Sequence, residues 1–328
     1  MTARFAQVWA YGLWVAAAAG AGMAGTASAQ GYPVRPVRIV VPFAPGGGTD
    51  ILARSMAPRM SELLRQQVIV DNRPGASSQI GSELVSRAAP DGYTLLFVDT
   101  SFTSNPSLYP KLPYDAVRDF APVSLLASAP VVLIVHPSVP VKTVKDLVAL
   151  AKARPGELNF ATGGAGSATH LGMELFKSTA AINLVHIPYK GSGPAAAAVV
   201  GGEVAMMFAG PSSAKPHVMA GRLRPIAITG ETRNAALPVV PTFVESGLQG
   251  VDSGTYWGAL APAATPKEIV QTLNAAMARV LQMPDLRKRL ADLAFEPIGS
   301  TPEEHALSIR TEIAKWARVV KQANIRLE

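Results

Sequence analysis

Val37-Arg-Ile-Val-Val-Pro-Phe43, followed by Ala44-Pro-Gly-Gly-Gly-Thr-Asp50, decides the fold. An apolar, β-branched run breaks into a glycine loop and then into a helical stretch from Ile51 to about Leu64. Val68-Ile-Val70 and the turn Asn72-Arg-Pro-Gly75 close the unit. The same order recurs downstream. Leu158-Asn-Phe-Ala161 leads into Thr162-Gly-Gly-Ala-Gly-Ser-Ala-Thr-His170, a helix from Leu171 to about Thr179, Leu184-Val-His-Ile187 and the turn Tyr189-Lys-Gly191. Gly48 and Gly75 are 27 residues apart, and Gly166 and Gly191 are 25 apart, so the two units also match in length. Each offers a glycine loop at a helix N-terminus, where unpaired N–H groups favour negative charge. The pattern predicts two α/β lobes gripping a small anion between them.

Outward from these units, Ile39–Val41, Leu95–Val98, Val131–Val135 and Ile226–Ile228 read as buried strands of parallel-type sheets alternating with helices. Pro90-Asp-Gly92 is a turn into the strand Tyr93–Val98. Thr143 with Asp146, Thr265 with Glu268, and Thr301 with Glu304 read as capping boxes, the last two with proline at the first helical position. Val270, Leu273, Met277, Val280 and Leu281 form an apolar stripe, continued in kind by Trp316 and Val320, and such stripes are expected to pack on a sheet. The internal symmetry places one lobe at residues 30–129 plus 253–328 and the other at 130–252, with two chain crossings forming a hinge.

Residues 1–29 read as an export leader: Arg4, an apolar stretch from Val8 to about Met23, and Ala27-Ser-Ala29 as a cleavage site after Ala29. The Gly/Ala-diluted run is a poor membrane span, which needs about 20 strongly apolar residues. Without the leader the formal charge falls from +7 to +6, modest and scattered, and aromatics are only 6 %, so a nucleic-acid surface is not expected. The chain has no cysteine, which excludes disulfides, thiol chemistry and a lipidated N-terminal cysteine. The expectation is a soluble, exported, periplasmic protein.

The loop through Phe43, Ala44, Gly47 and Gly48 lets backbone amides approach a ligand without side-chain obstruction, and Thr49 or Asp50 is expected to cap the following helix. No Gly-Lys-Ser/Thr follows, and the later glycine of a dinucleotide fingerprint is missing, so neither nucleotide motif applies. In the second loop Gly166 is followed by Ser167 and Thr169, which add hydroxyls, and by His170, which suits a donor, a ligand contact or a core residue. Ser77, Ser78, Tyr189, Lys190 and Gly191 are polar or turn positions expected to close the cleft from either side. Thr100 and Ser101 follow the strand ending at Val98 and belong at the same mouth, with Asp99 placed to receive a ligand amine or to cap a turn. No serine has glycine at both −2 and +2, and no histidine stands at metal spacing, so no catalytic residue, metal or cofactor is expected. Ser167 with His170 is the one pair resembling nucleophile and base, and it lacks a third orienting group.

Seven ordered motifs then carry a resemblance. They are Pro42-Phe-Ala-Pro-Gly-Gly-Gly-Thr-Asp50, Asn72-Arg-Pro-Gly75, Pro90-Asp-Gly-Tyr-Thr-Leu95, Asn105-Pro-Ser-Leu-Tyr109, Phe120-Ala-Pro-Val123, Gly166-Ser-Ala-Thr-His170 and Pro188-Tyr-Lys-Gly191. The chain resembles the substrate-binding proteins of the tripartite tricarboxylate transporter family, the Bug proteins. The resemblance implies a type II periplasmic binding-protein fold whose two lobes hold a small carboxylate, a mono- or dicarboxylate, amino acid or aromatic acid, largely through loop backbone. It also implies delivery to a two-subunit membrane permease. A monomer is expected, and a sensory partner of a signalling system is the alternative role. Ser77-Ser-Gln79, Asp99-Thr-Ser-Phe102 and Met207-Phe-Ala-Gly-Pro211 depart from the family pattern where a ligand's distinguishing groups would be read.

Overall fold

The structure, a computed structural model, describes residues 31–189, 191–251, 253–322 and 325. The expected leader, Lys190 and the boundary residue Asp252 lie outside the described residues. In chain order the strands are β1 Val37–Val41, β2 Val68–Asn72, β3 Thr94–Val98, β4 Phe120–Pro130, β5 Val132–Val135, β6 Asn159–Thr162, β7 Val185–Pro188, β8 Met206–Ala209, β9 Arg224–Ile228, β10 Gly254–Pro262 and β11 Glu296–Pro297. The helices used below are α1 Gly48–Leu64, α2 Gln79–Ser86, α3 Ser101–Leu108, α4 Val144–Ala153, α5 Ala168–Ala180, α6 Ser192–Val200, α7 Pro211–Met219, α8 Lys267–Leu281, α9 Pro284–Asp292 and α10 Pro302–Gln322.

Two sheets result, in the orders β11-β4-β10-β3-β1-β2 and β7-β6-β8-β5-β9. Each duplicated unit is a parallel β-α-β crossover: Val37 pairs with Val68 in the first, and Asn159 with Val185 in the second. The expectation of parallel-type strands holds for Ile39–Val41 beside Leu95–Val98 but fails elsewhere. β5 runs antiparallel to both of its neighbours, with Ile134 opposite Met207 and Leu133 opposite Ala227, and β10 runs antiparallel to β3. The reason is connectivity. β5 begins one residue after β4 ends, so it enters the second sheet in the direction in which it left the first. Its four residues are all buried because helices cover both faces: Leu133 and Val135 enter one core, Val132 and Ile134 the other. An unbroken apolar run therefore reports cover on both faces, not strand direction.

The chain passes between the sheets twice, from β4 into β5 and from β9 back to β10. The two passages lie side by side, since Gly254 pairs with Pro130 and Thr255 with Ala129. Val131 is held by a reciprocal pair: its N–H donates to Thr229 Oγ1, and its carbonyl accepts from the Thr229 N–H, both at 2.9 Å. Together with the second sheet, this hinge makes a type II periplasmic binding-protein fold of two α/β lobes.

Local signals were mostly obeyed. Thr143 and Asp146 form a reciprocal capping box, as do Thr301 and Glu304. Thr265 does not: its hydroxyl donates to the Pro262 carbonyl at 2.7 Å, and Pro266 becomes the N-cap of α8. The α8 stripe is buried as expected. Trp316 departs from the expected packing on a sheet. It is fully buried in a cluster with Leu108, Val319 and Leu171, the last on α5 of the second lobe. The Ala-rich run Ala195–Met207 divides between α6 and β8, and among the described residues no helix is long and apolar enough to cross a membrane.

One core contact tests the first sheet. A Cβ on Gly258 would lie 2.4 Å from the ring of His305, which is buried at the start of α10. Gly258→Ala is therefore expected to destabilise the protein by about 1–3 kcal/mol, read by urea or thermal unfolding.

Candidate functional site

The first glycine loop is held from beneath. Asn72 at the end of β2 donates through Nδ2 to the Phe43 carbonyl (3.0 Å) and to Asp50 Oδ1 (2.9 Å). The Asp50 carboxylate also accepts from the Gly46 N–H (2.9 Å) and from Arg54 Nε (2.9 Å). Burial is the largest single influence on Asp50 and pushes its pKa up, but the bonds from Gly46, Arg54 and Asn72 together hold it below the usual carboxylate range. The helix cap itself is Gly47, with no side-chain cap bond, so neither Thr49 nor Asp50 has the capping role expected of it. Asp50 braces the loop from inside. Thr49 accepts a hydrogen bond from Trp257 Nε1 (3.1 Å), and a Cβ on Gly48 would lie 2.7 Å from the same indole. Glycine is required at 48 because the helix start rests on Trp257. The first N–H groups of α1 have no partner within the helix.

The second loop is braced differently. Ser167 is the N-cap of α5: its Oγ accepts from the His170 N–H (3.3 Å) and lies 3.1 Å from Thr169 Oγ1. His170 Nδ1 accepts the Gly166 N–H (3.1 Å), and the ring stacks on His186 with centroids 4.0 Å apart. His186 Nε2 in turn meets Thr162 Oγ1 at 2.6 Å. Burial, then the neighbouring His186 and Lys177, depress His170 to about 3, and burial with Lys177 depresses His186 to about 4. Both rings are neutral at physiological pH. His170 is 5 % exposed and stands behind the loop, so of the three roles open to it the structure favours bracing over ligand contact. Its ring nitrogen is spent on Gly166, while Ser167 Oγ is spent on the His170 backbone, so the pair is not arranged as nucleophile and base. Tyr189 N–H donates to the Thr162 carbonyl and Gly191 N–H to the Gly163 carbonyl, each at 3.0 Å, which sets that turn beside the loop.

The loops of the two lobes meet. Ser77 Oγ donates to the Ala165 carbonyl, and Ser104 Oγ to the Gly166 carbonyl, both at 3.3 Å. Ala76, Ser77 and Ser78 all have left-handed backbones, with φ of 46°, 49° and 73°, a conformation costly for non-glycine residues. Asn105 offsets this by donating to the Ser77 carbonyl (2.8 Å) and Ser78 Oγ (3.3 Å), and Tyr109 by donating to Ser77 Oγ (2.9 Å). Ser101 Oγ reaches Ser78 Oγ at 3.2 Å, and Thr100 Oγ1 bonds both the Gly254 carbonyl and the Tyr256 N–H at the start of β10. That same segment supports both helix starts. A Cβ on Gly172, in the first turns of α5, would lie 2.5 Å from Ser253 Oγ, while Trp257 carries Gly48. Four residues of strand separate Ser253 from Trp257, roughly 14 Å.

Hydrogen bonds thus link the loops singled out in the sequence, through the Ser77–Ser78 turn, the start of α3 and the start of β10. Sequence reasoning missed the residues that join them: Asn72, Ser104, Asn105, Tyr109 and Trp257. Asn72, Asn105 and Tyr109 lay inside recognisable motifs, but nothing local tells which carbonyl or hydroxyl they reach. Among the described residues no cluster of His, Cys, Asp or Glu suits a metal ion.

Known proteins resemble this chain over most of its length. Residues 52–325 match the tripartite tricarboxylate transporter family receptor model. Protein BugT of Bordetella pertussis is 38% identical over 312 residues, covering 94% of this chain and 95% of the relative. Among solved structures, Rpa4515 of R. palustris with adipate is 36% identical with a TM-score of 0.86, covering 90% of this chain and 99% of that one. MatC (Rpa3494) of Rhodopseudomonas palustris with bound malate is 35% identical with a TM-score of 0.82, covering 88% and 100% respectively. Fold and site define a periplasmic solute-binding receptor. The chain belongs to the tripartite tricarboxylate transporter receptor family, the Bug proteins.

The stacked histidines give the stability a pH dependence of known sign. Unfolded histidine takes up its proton near pH 6.5, whereas His170 and His186 stay neutral down to about 3 and about 4 in the fold. Below about pH 6.5 the unfolded state binds more protons, so stability is full above that value and falls with acidification. His305, depressed by burial to about 4, acts in the same sense, and Asp99, with its raised pKa, in the opposite one. The melting temperature should drop between about pH 7 and pH 4.5, and the drop should shrink, without vanishing, in His170→Gln/His186→Gln. An equal drop in that variant would remove the pair from the account.

Proposed function

We propose that this protein captures a small organic carboxylate between its two lobes in the periplasm and hands it to a two-subunit membrane permease. The observation that carries this reading is the convergence of two braced glycine loops, each opening a helix, on one hinge segment. Their first-turn amides supply donors and positive dipole ends to an anion with no permanent cation required. Phe43, Ala44, Gly47 and Gly48 offer backbone on one side, and Gly166 with the α5 start on the other. Ser77, Ser78, Thr100 and Ser101 set the floor, and Tyr189 and Gly191 a wall. Relatives named with adipate and with malate support the ligand class. In this reading residues 30–129 plus 253–328 and residues 130–252 are the closing lobes, the leader is removed after Ala29, the receptor works as a monomer, and it performs no catalysis. Closure expels water and strengthens the polar contacts with the carboxylate.

Thermal unfolding of ligand-free protein against a panel of three- to six-carbon mono- and dicarboxylates tests it. A true ligand at one hundred times its Kd should stabilise by about 2.7 kcal/mol. Gly48→Ala, which pushes the helix start off Trp257, should weaken that ligand about tenfold or more in calorimetry. A flat response across the panel, with no acid retained in native mass spectrometry, would reject the reading.

A further inference from the structure

The second glycine loop is held from two lobes at once. A peptide unit is planar, so its carbonyl and its N–H turn together. In the unit joining Ala165 to Gly166, the N–H donates to His170 Nδ1 (3.1 Å), and the carbonyl accepts from Ser77 Oγ (3.3 Å) of the other lobe. In the next unit the Ser167 N–H donates to the Gly164 carbonyl (3.2 Å), and the Gly166 carbonyl accepts from Ser104 Oγ (3.3 Å), again of the other lobe. Gly166, with a φ of 76°, is the swivel between the two units. Ser167 then caps α5, so the tilt of these units sets where the first N–H groups of that helix aim.

The two cross-lobe hydroxyls are not equivalent. Ser104 has one proton to give, and the Ser101 carbonyl of its own helix lies slightly closer, at 3.2 Å. Among the described residues Ser77 has no such rival. Tyr109 O–H donates to its oxygen at 2.9 Å, which leaves the Ser77 proton to point at Ala165. Hydrogen bonds in series polarise one another, so the Tyr109 donor strengthens the Ser77 one. The Tyr109 ring also packs against the cluster of Leu108, Trp316 and Leu171, the last on α5, which fixes its hydroxyl relative to both lobes. We propose that Tyr109 is a positioning residue for ligand binding: acting through Ser77, it holds the second glycine loop, from the opposite lobe, in the orientation that receives the carboxylate. This rests on the carboxylate-receptor reading above.

Hydrogen exchange on the ligand-free full chain, and calorimetry with adipate and malate, test it. Tyr109→Phe keeps the ring and removes only the hydroxyl. Exchange of the amides of residues 166–168 should quicken about threefold or more while the β8 amides exchange as before. The Kd for adipate or malate should rise about threefold to tenfold, chiefly through faster dissociation. In a Ser77→Ala background Tyr109→Phe should change neither quantity further, because the group it acts through is gone. A purely structural tyrosine would give the same loss with and without Ser77, and that additive result overturns the proposal. Unchanged loop exchange or unchanged affinity in Tyr109→Phe overturns it as well. If neither acid binds wild-type protein, the carboxylate reading fails for these probes, and the exchange cycle alone decides the role of Tyr109.

Discussion

An α-helix cannot satisfy its own first N–H groups, and two helices of this structure begin against one segment, Ser253–Trp257. The constraint is demanding because unpaired amides attract any nearby acceptor, including the protein's own side chains. In both loops the competing groups are committed elsewhere. Asp50 is bound to Gly46, Arg54 and Asn72, Ser167 Oγ accepts the His170 N–H, and His170 Nδ1 accepts the Gly166 N–H. What remains at the surface of each loop is mostly backbone and glycine.

The two lobes reach this outcome by different means. The first uses a charged cluster, in which a nearly buried carboxylate is stabilised by three donors. The second uses two neutral stacked imidazoles whose nitrogens hold Gly166 and Thr162. Neither device leaves a net positive charge at the loop tips. An anion held there is held by dipoles and hydrogen bonds, which depend on geometry more than a point charge does and reward closure of the lobes. The left-handed run Ala76–Ser78 fits the same logic: backbone strain is accepted so that Ser77 can meet Ala165 across the gap, and Asn105 supplies the compensating bonds.

Much of this was legible in the chain. The repeated strand–glycine–helix–strand unit marked both loops, because unbroken apolar runs and glycine breaks are local signals. Two of three capping boxes were read correctly for the same reason. The failures share one cause. Thr265 has the right spacing for a cap, but the Pro262 carbonyl competes for its hydroxyl. Val132–Val135 has the composition of a parallel strand, but its direction is inherited from β4. Trp316 sits on an ordinary amphipathic stripe, but its neighbour is Leu171 of the other lobe.

By itself, the sequence determined the duplicated α/β units, the glycine loops that open two helices, and the absence of cysteine, all properties of residues close together along the chain. Only the tertiary structure decided that both helix starts rest against Ser253–Trp257, that His170 Nδ1 holds the Gly166 N–H, and that Trp316 packs with Leu171 of the other lobe. All but the histidine contact depend on which side chain arrives from tens to hundreds of positions away, and the folded chain alone brings them together.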